Sequence, residues 1–271
     1  MKARQRALTH GSLFAGLGGF DLGLRWAGFE TVWQVERDSY CRKILRRHFP
    51  DAARYKDIAK CSAKDLRAVE VITGGFPCTD ISEIGKRAGL AGKHSRLWWQ
   101  MHRIVCEIRP PWVIVENVRA FRDRGADEVV DALEKTGYAV WPLVVGAGIL
   151  GAPHSRDRAW LVCHDADSCD AAGAEAARGL STTERRALDQ ARRDWSAIFG
   201  ELEAAVGADG HQAYGGIVRA VHGIPGEAQR LRALGNSCVP QVPMILGSFI
   251  RQFEDSGTRP QTKGVQATSV N

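Results

Sequence analysis

The chain alternates short, almost wholly apolar runs with longer stretches in which apolar residues recur every three or four positions. Leu8 to Phe14, Thr31 to Val35, Val69 to Thr73, Trp112 to Val115, Tyr138 to Val145 and Ala159 to Cys163 are the short runs. Their length, their Val, Ile and Thr content and the glycines or prolines around them predict buried strands. Between them, Phe20, Leu22, Leu24, Trp26 and Ala27 predict a helix that ends at Gly28. Asp38 to Arg47, Leu97 to Ile108 and Gly125 to Thr136 predict further helices, and the apolar period returns in an amphipathic helix that ends near Ile250. Strands that alternate with helices predict an α/β class built on a mostly parallel sheet. In such a sheet ligands bind where the loops leave the carboxyl ends of the strands.

Those strand ends hold the residues with chemistry. The first run leads straight into Ala15-Gly16-Leu17-Gly18-Gly19, and a glycine turn between strand and helix lets a ligand approach backbone N–H groups. The spacing is not that of a dinucleotide fold, because Asp21 occupies the place of the third glycine. That acid would repel a pyrophosphate and tolerate a zwitterionic or cationic ligand. Glu36 ends the second run, twenty residues after Gly16, where a carboxylate can accept hydrogen bonds from ribose hydroxyls. Asp57-Ile58 could set a carboxylate against an adenine amino group. Cys78 follows Gly74-Gly75-Phe76-Pro77, and Glu116-Asn117 follows the Trp112 run. If the strands are parallel, Glu36, Cys78 and Glu116 share one edge. Arg156 and Arg158, at alternate positions entering a strand, point to one face and could reach one anionic or carbonyl group.

Other segments sharpen the picture. Gly85, Gly89 and Gly92 punctuate a basic loop containing Lys86, Arg87, Lys93, His94 and Arg96, suited to close over an anionic polymer. The basic face of the second helix (Arg42, Lys43, Arg46, Arg47) reads as solvated, and Trp98 and Trp99 read as core. From Asp165 to Ala208 the composition turns to Ala, Arg, Asp and Glu without a core-sized apolar pattern, which marks a small inserted unit. The polar end from Ser256 to Asn271 predicts a disordered tail. With 271 residues and 44% hydrophobic content the chain can bury a sizeable core. A formal charge of +6 suits a polyanionic partner. Seven cysteines with no C-x-x-C pair argue against a disulfide framework and structural zinc, and no metal is expected. No apolar run reaches the roughly 18 residues of a membrane span. The first residues lack the apolar centre of a signal peptide, so a cytoplasmic location is expected.

FAGLGGFDLGL, GGFPCTDIS, ENV, GAPHSRDRAWLV and ALGNSCVPQ stand in the order found in the cytosine-5 DNA methyltransferases, and the chain resembles the compact bacterial and phage members of that family. The resemblance covers nearly everything except the 165–220 region and the tail. It implies a Rossmann-like methyltransferase fold that uses S-adenosylmethionine. The catalytic domain would span 1–164 and be completed by 226–255, with 165–225 as a small target-recognition region. Cofactor contacts are implied for Phe14, Gly16, Leu17, Gly18, Gly19, Glu36, Asp57, Ile58, Pro77, Leu97, Asn236 and Ser237. The resemblance makes Cys78 the thiolate that adds to C6 of a flipped-out cytosine and Glu116 the group on N3, with Arg158, supported by Arg156, orienting the base. Ser82, Lys86, Arg87, Asn117 and His154 would face duplex DNA.

Against the family pattern, Thr79 stands where Gln usually follows the catalytic Cys, His154 where Gln usually precedes the two arginines, and Cys238 where a small apolar residue is common. None of these removes a group that performs the chemistry. A monomer is expected, with a cognate restriction endonuclease as a further partner. Three other readings compete: an RNA cytosine-5 methyltransferase, a non-catalytic DNA reader, and an unrelated Rossmann-like enzyme with a coincidental thiol.

Overall fold

The computed structural model describes residues 7–77, 96–123, 125–147, 157–165, 233 and 236–255. Its centre is a seven-stranded sheet in the order β3-β2-β1-β4-β5-β7-β6. The strands are β1 (Leu8–Leu13), β2 (Phe29–Val35), β3 (Ala53–Tyr55), β4 (Val71–Gly74), β5 (Trp112–Val118), β6 (Tyr138–Val145) and β7 (Arg158–Asp165). β3, β2, β1, β4 and β5 are mutually parallel, whereas β7 runs antiparallel to both β5 and β6. The expected mostly parallel sheet is therefore present, with β7 as the reversed strand.

Helices α1 (Gly19–Trp26), α2 (Ser39–His48), α3 (Arg96–Ile108), α4 (Ala126–Lys135) and α5 (Gln241–Asp255) cover the sheet. Local signals set their ends. Asp38 caps α2 by accepting hydrogen bonds from the Tyr40 and Cys41 N–H groups. Gly28, with φ +83°, adopts the left-handed conformation that stops α1. One face of the sheet, toward α3 and α4, is a continuous apolar layer including Leu13, Trp33, Ile72, Val113, Trp98 and Met101. The other face packs Leu8, Ile114, Trp160 and Val162 against Phe20 and Leu24 of α1 and Leu246 and Ile250 of α5.

α1 and α5 touch almost backbone to backbone. A side-chain carbon at Gly23 would come within 2.1 Å of Pro240 O, and one at Gly247 within 2.6 Å of Leu24 Cδ2. Small residues at both positions permit this approach. β2 carries one extra residue opposite β1, between the pairs His10–Thr31 and Gly11–Trp33. This bulge turns Trp33 to the apolar layer and Gln34 to the α1 side.

Several boundaries differ from the sequence reading. β5 continues three residues past Val115, so Glu116 and Asn117 lie inside the strand and point to opposite faces. β3 was not expected: it is a three-residue edge strand with the sequence ARY and no apolar run. Trp98 is fully buried as expected, but Trp99 is 40% exposed and is not core. The 165–225 unit beyond Asp165 and the 256–271 tail lie outside the described residues.

Candidate active site

The carboxyl ends of β1, β2, β4 and β5 meet along one edge, where the candidate residues collect. After β1 the chain makes a tight loop in which Phe14, Gly16 and Gly18 all have positive φ (54°, 56° and 85°). For Phe14 that conformation is strained, and a surrounding structure has to hold it. Ala15 N–H donates to Val35 O at 3.2 Å and Gly18 N–H donates to Ala15 O at 2.8 Å. Among the described residues a carbon on Gly16 would meet nothing nearer than Phe14 O at 3.9 Å, so space opens beside the loop. Gly19 is closed off instead, since a carbon there would press on Cys238 and Ser237. The segment leading into α5 therefore sits against the start of α1, with Ser237 half-buried and Asn236 exposed.

Glu36 stands at the end of β2 beside this loop. Its Oε2 accepts the Gly16 N–H at 2.7 Å and its Oε1 accepts the Asp38 N–H at 2.6 Å. Each oxygen can accept a further hydrogen bond, so the carboxylate is oriented yet still able to receive hydroxyl donors. Arg42 donates to the carbonyls of Glu36 and Arg37. That contact corrects the reading of its helix face as merely solvated. Asp57 caps a short 3-10 turn by accepting the Ala59 N–H at 3.1 Å, and Ile58 is buried behind it. Leu97 is half-buried against the α3-side layer.

The β4 and β5 ends form the second part of the site. Glu116 Oε1 lies 3.0 Å from Arg158 Nε, with both side chains largely buried. The register explains this pair, because Glu116 is opposite Trp160 on the antiparallel β7 and Arg158 is its diagonal neighbour on the same face. Gly75 makes room for the carboxylate: a carbon there would be 2.8 Å from Glu116 Oε2. In the sequence only the paired glycines, Gly74 and Gly75, hint at that close approach. Asn117, on the other face, is 3% exposed and donates to Phe76 O at 3.4 Å, while its Oδ1 accepts the Val118 N–H at 2.8 Å. Its amide is thus turned to the Phe76-Pro77 backbone. Pro77 is exposed at the end of the described segment. Cys78, Ser82, Lys86, Arg87, His154 and Arg156 lie outside the described residues.

Asp21 is placed differently from its sequence reading. It does not border the open loop but is fully buried beneath it, accepting hydrogen bonds from Gln34 Nε2 at 2.8 Å and Ser12 Oγ at 3.1 Å. Burial pushes its carboxyl up to about 6, against the opposing effect of those donors. The acid therefore says nothing about pyrophosphate. Its partners lie on other strands, and no local pattern announces them. Among the described residues no group of three or more His, Cys, Asp or Glu side chains could hold a metal ion, and no helix is long and apolar enough to cross a membrane.

The strand order with its reversed β7, and the glycine loop answered by a carboxylate on the next strand, define a Rossmann-like methyltransferase fold. Solved structures agree on that fold. An Entamoeba histolytica methyltransferase, EhMeth, matches with a TM-score of 0.52 at 17% identity, over 59% of this chain and 53% of that one. The S. pombe Dnmt2 methyltransferase matches with a TM-score of 0.50 at 20% identity, over 59% and 50%. The family model described as C-5 cytosine-specific DNA methylase matches residues 8–202, and the chain belongs to that family. Similar relatives include the type II methyltransferase M.NgoFVII of Neisseria gonorrhoeae, 32% identical over 56% of this chain and 42% of the relative. M.HhaI of Haemophilus parahaemolyticus is 31% identical over 56% of this chain and 47% of its own length. The chain spans about half the length of such relatives.

Proposed function

We propose that the chain methylates C5 of cytosine in a specific duplex DNA sequence, through a covalent bond between Cys78 and C6 of a flipped-out base. The observation that carries this reading is the Glu116–Arg158 pair, 3.0 Å apart and seated over Gly75, three residues before Cys78. It is a carboxyl group and a guanidinium fixed together at the strand edge where the thiol's segment leaves β4. Family membership and the relatives named above support it.

The chemistry follows from the substrate. Carbon 5 of an aromatic cytosine is a poor nucleophile, and attack by the Cys78 thiolate at C6 converts it to an enamine carbon. Glu116 in its protonated form donates to N3 as negative charge develops there, and Arg158 donates to the base's O2. The Gly16 loop would hold S-adenosylmethionine, which would supply a methyl group to C5 as its S–CH3 bond breaks and the neutral thioether S-adenosylhomocysteine leaves. Loss of the C5 proton to a base then lets the C6–S bond break, which restores the ring and frees the thiolate. Asn117 steadies the Phe76-Pro77 backbone that immediately precedes Cys78 in the sequence. Phe14 to Gly19, with Pro77, Leu97, Asn236 and Ser237, would surround the cofactor, Glu36 would take its ribose, and Asp57-Ile58 would face its adenine. The open space beside Gly16 and the preset Glu36 carboxylate fit that assignment. The stacked duplex hides C6, so the base must leave the helix, and the 85–96 loop would close over it. We place target recognition in the 165–225 unit.

Trapping on duplex DNA containing 5-fluorocytosine tests the proposal. Fluorine at C5 cannot leave as a proton does, so the protein should stall as a covalent adduct in the presence of S-adenosylmethionine, and Cys78→Ala should give none. Absence of an adduct across a library of duplexes would overturn the DNA assignment. An adduct on single-stranded RNA alone would move the substrate to RNA.

A further inference from the structure

Beneath the glycine loop, the sheet face toward α1 carries linked polar side chains where the surrounding layer is apolar. Asp21, in the first turn of α1, receives Ser12 of β1 and Gln34 of β2. A second polar group adjoins it, in which His10 has Nδ1 3.0 Å from Thr31 Oγ1 of β2 and Nε2 2.8 Å from Thr73 Oγ1 of β4. His10, Ser12, Asp21, Gln34 and Thr73 are all fully buried. Ser12 stands two residues before Phe14, Gln34 two before Glu36, and Thr73 five before Cys78. Two adjoining groups of buried polar side chains thus tie together the three strands whose ends carry the glycine loop, the ribose carboxylate and the nucleophile's segment.

This arrangement is a poor way to gain stability. A buried carboxylate loses its hydration, and hydrogen bonds return only part of that loss. Gln34 Oε1, also buried, has no hydrogen-bond partner among the described residues. What the cluster does supply is direction. A carboxylate gripped by donors from two strands fixes the angle at which α1 leaves the sheet, and the strained loop from Phe14 to Gly18 has to span the fixed distance between β1 and that helix.

We infer that Asp21 is a positioning residue for the cofactor loop, acting through Ser12 and Gln34 to set the loop against Glu36. The inference rests on the proposed use of S-adenosylmethionine at that loop. Asp21 touches neither cofactor nor substrate. Replacing it by asparagine keeps its shape but turns one accepting oxygen into a donor, so that Ser12 or Gln34 has to reverse its hydrogen-bonding role.

The test measures three quantities on Asp21→Asn and on the wild-type protein. These are calorimetric binding of S-adenosylhomocysteine, kcat and KM for S-adenosylmethionine on duplex DNA, and thermal unfolding. The expected result is a roughly tenfold weaker cofactor Kd and higher KM, with kcat at saturating cofactor unchanged. Tm at neutral pH should not fall, because an unfavourable buried charge has gone. Ser12→Ala should give a smaller loss of the same kind and add little in the Asp21→Asn background. If Asp21→Asn does not fold, Ser12→Ala carries the test alone. Unchanged cofactor affinity in the folded variant would overturn the positioning role, as would a fall in Tm with kcat and affinity lost together. Wild-type protein that binds no S-adenosylhomocysteine would overturn the proposed function, and the inference with it.

Discussion

The two faces of the sheet are built by different rules. Toward α3 and α4, Leu13, Ile72, Val113, Trp98, Met101 and Ile104 form a continuous apolar layer, with buried Asn117 at its margin. Toward α1 and α5, Leu24, Ile114, Trp160 and Leu246 share the space with buried His10, Ser12, Asp21, Gln34, Thr73 and Glu116. The first face stabilises mainly by area and volume, and many apolar shapes could fill it. The second gives up some of that stabilisation for groups whose directions are fixed by hydrogen bonds. The candidate cofactor loop and the Glu116–Arg158 pair both belong to it. Stability and site geometry are therefore separable, one face from the other.

Breaking the apolar face should give the largest change in stability and little change in the site. Ile104→Ala, at a fully buried position on α3, should lower unfolding free energy by about 2–5 kcal/mol. Urea unfolding would measure it, and S-adenosylhomocysteine affinity of the folded protein should stay at the wild-type value. A parallel loss of affinity would erase the distinction between the faces.

On the polar face the effect should depend on pH. Burial raises Asp21 from 3.8 to about 6, so the folded chain keeps a proton that the unfolded chain has already lost. Stability thus falls as pH rises from about 4 to about 6, by about 3 kcal/mol in all. His10 acts in the opposite sense, since burial lowers it from 6.5 to about 3 and the unfolded chain protonates first. His164, lowered to about 4, has the same sign as His10. Arg54 of β3, whose guanidinium donates to the Leu45 and Phe49 carbonyls, adds a weak attraction to Asp21. Relative to wild type, Asp21→Asn should gain stability steadily between pH 4 and 6 and no more above that. A difference independent of pH would mean that Asp21 titrates like an exposed acid.

The smallest of these changes should come from the α1–α5 seam, and it should touch both properties. Gly23→Ala forces a carbon toward Pro240 O, only 2.1 Å away, and overpacking of this kind costs about 1–3 kcal/mol. Because Pro240 closes the segment that presses Ser237 and Cys238 on Gly19, cofactor affinity should drop as well. Thermal unfolding and calorimetry on one sample would show whether the two losses travel together.

The contrast between the faces also explains what could be read from the sequence. Ile72, Val113 and Val115 announce their strands because burial demands apolar side chains in a row. Glycine at 16 and 18 and the acid at 36 were legible because a tight turn and a strand-end carboxylate leave local marks. Asp21 was misread, since its partners Ser12 and Gln34 meet it only after β1, β2 and α1 are assembled. The bulge that aims Gln34 has no signature in FETVWQV. Likewise the Glu116–Arg158 contact depends on β7 running backwards beside β5, and Gly75 shows its purpose only once that carboxylate lies over it. β3 escaped notice because a three-residue edge strand needs no apolar run.

The seam between α1 and α5 carries a consequence for how the molecule comes to be made. Arg251 binds the Ala27 carbonyl across 224 residues of sequence, and Leu24 stays uncovered until Leu246 and Gly247 arrive. A chain growing at about 5–20 residues per second would present the outer side of α1 to water until α5 has been made. The glycine loop would reach its working shape only when α5 docks. That element would then mature well after its own translation, and a nascent chain would acquire cofactor affinity in one late step.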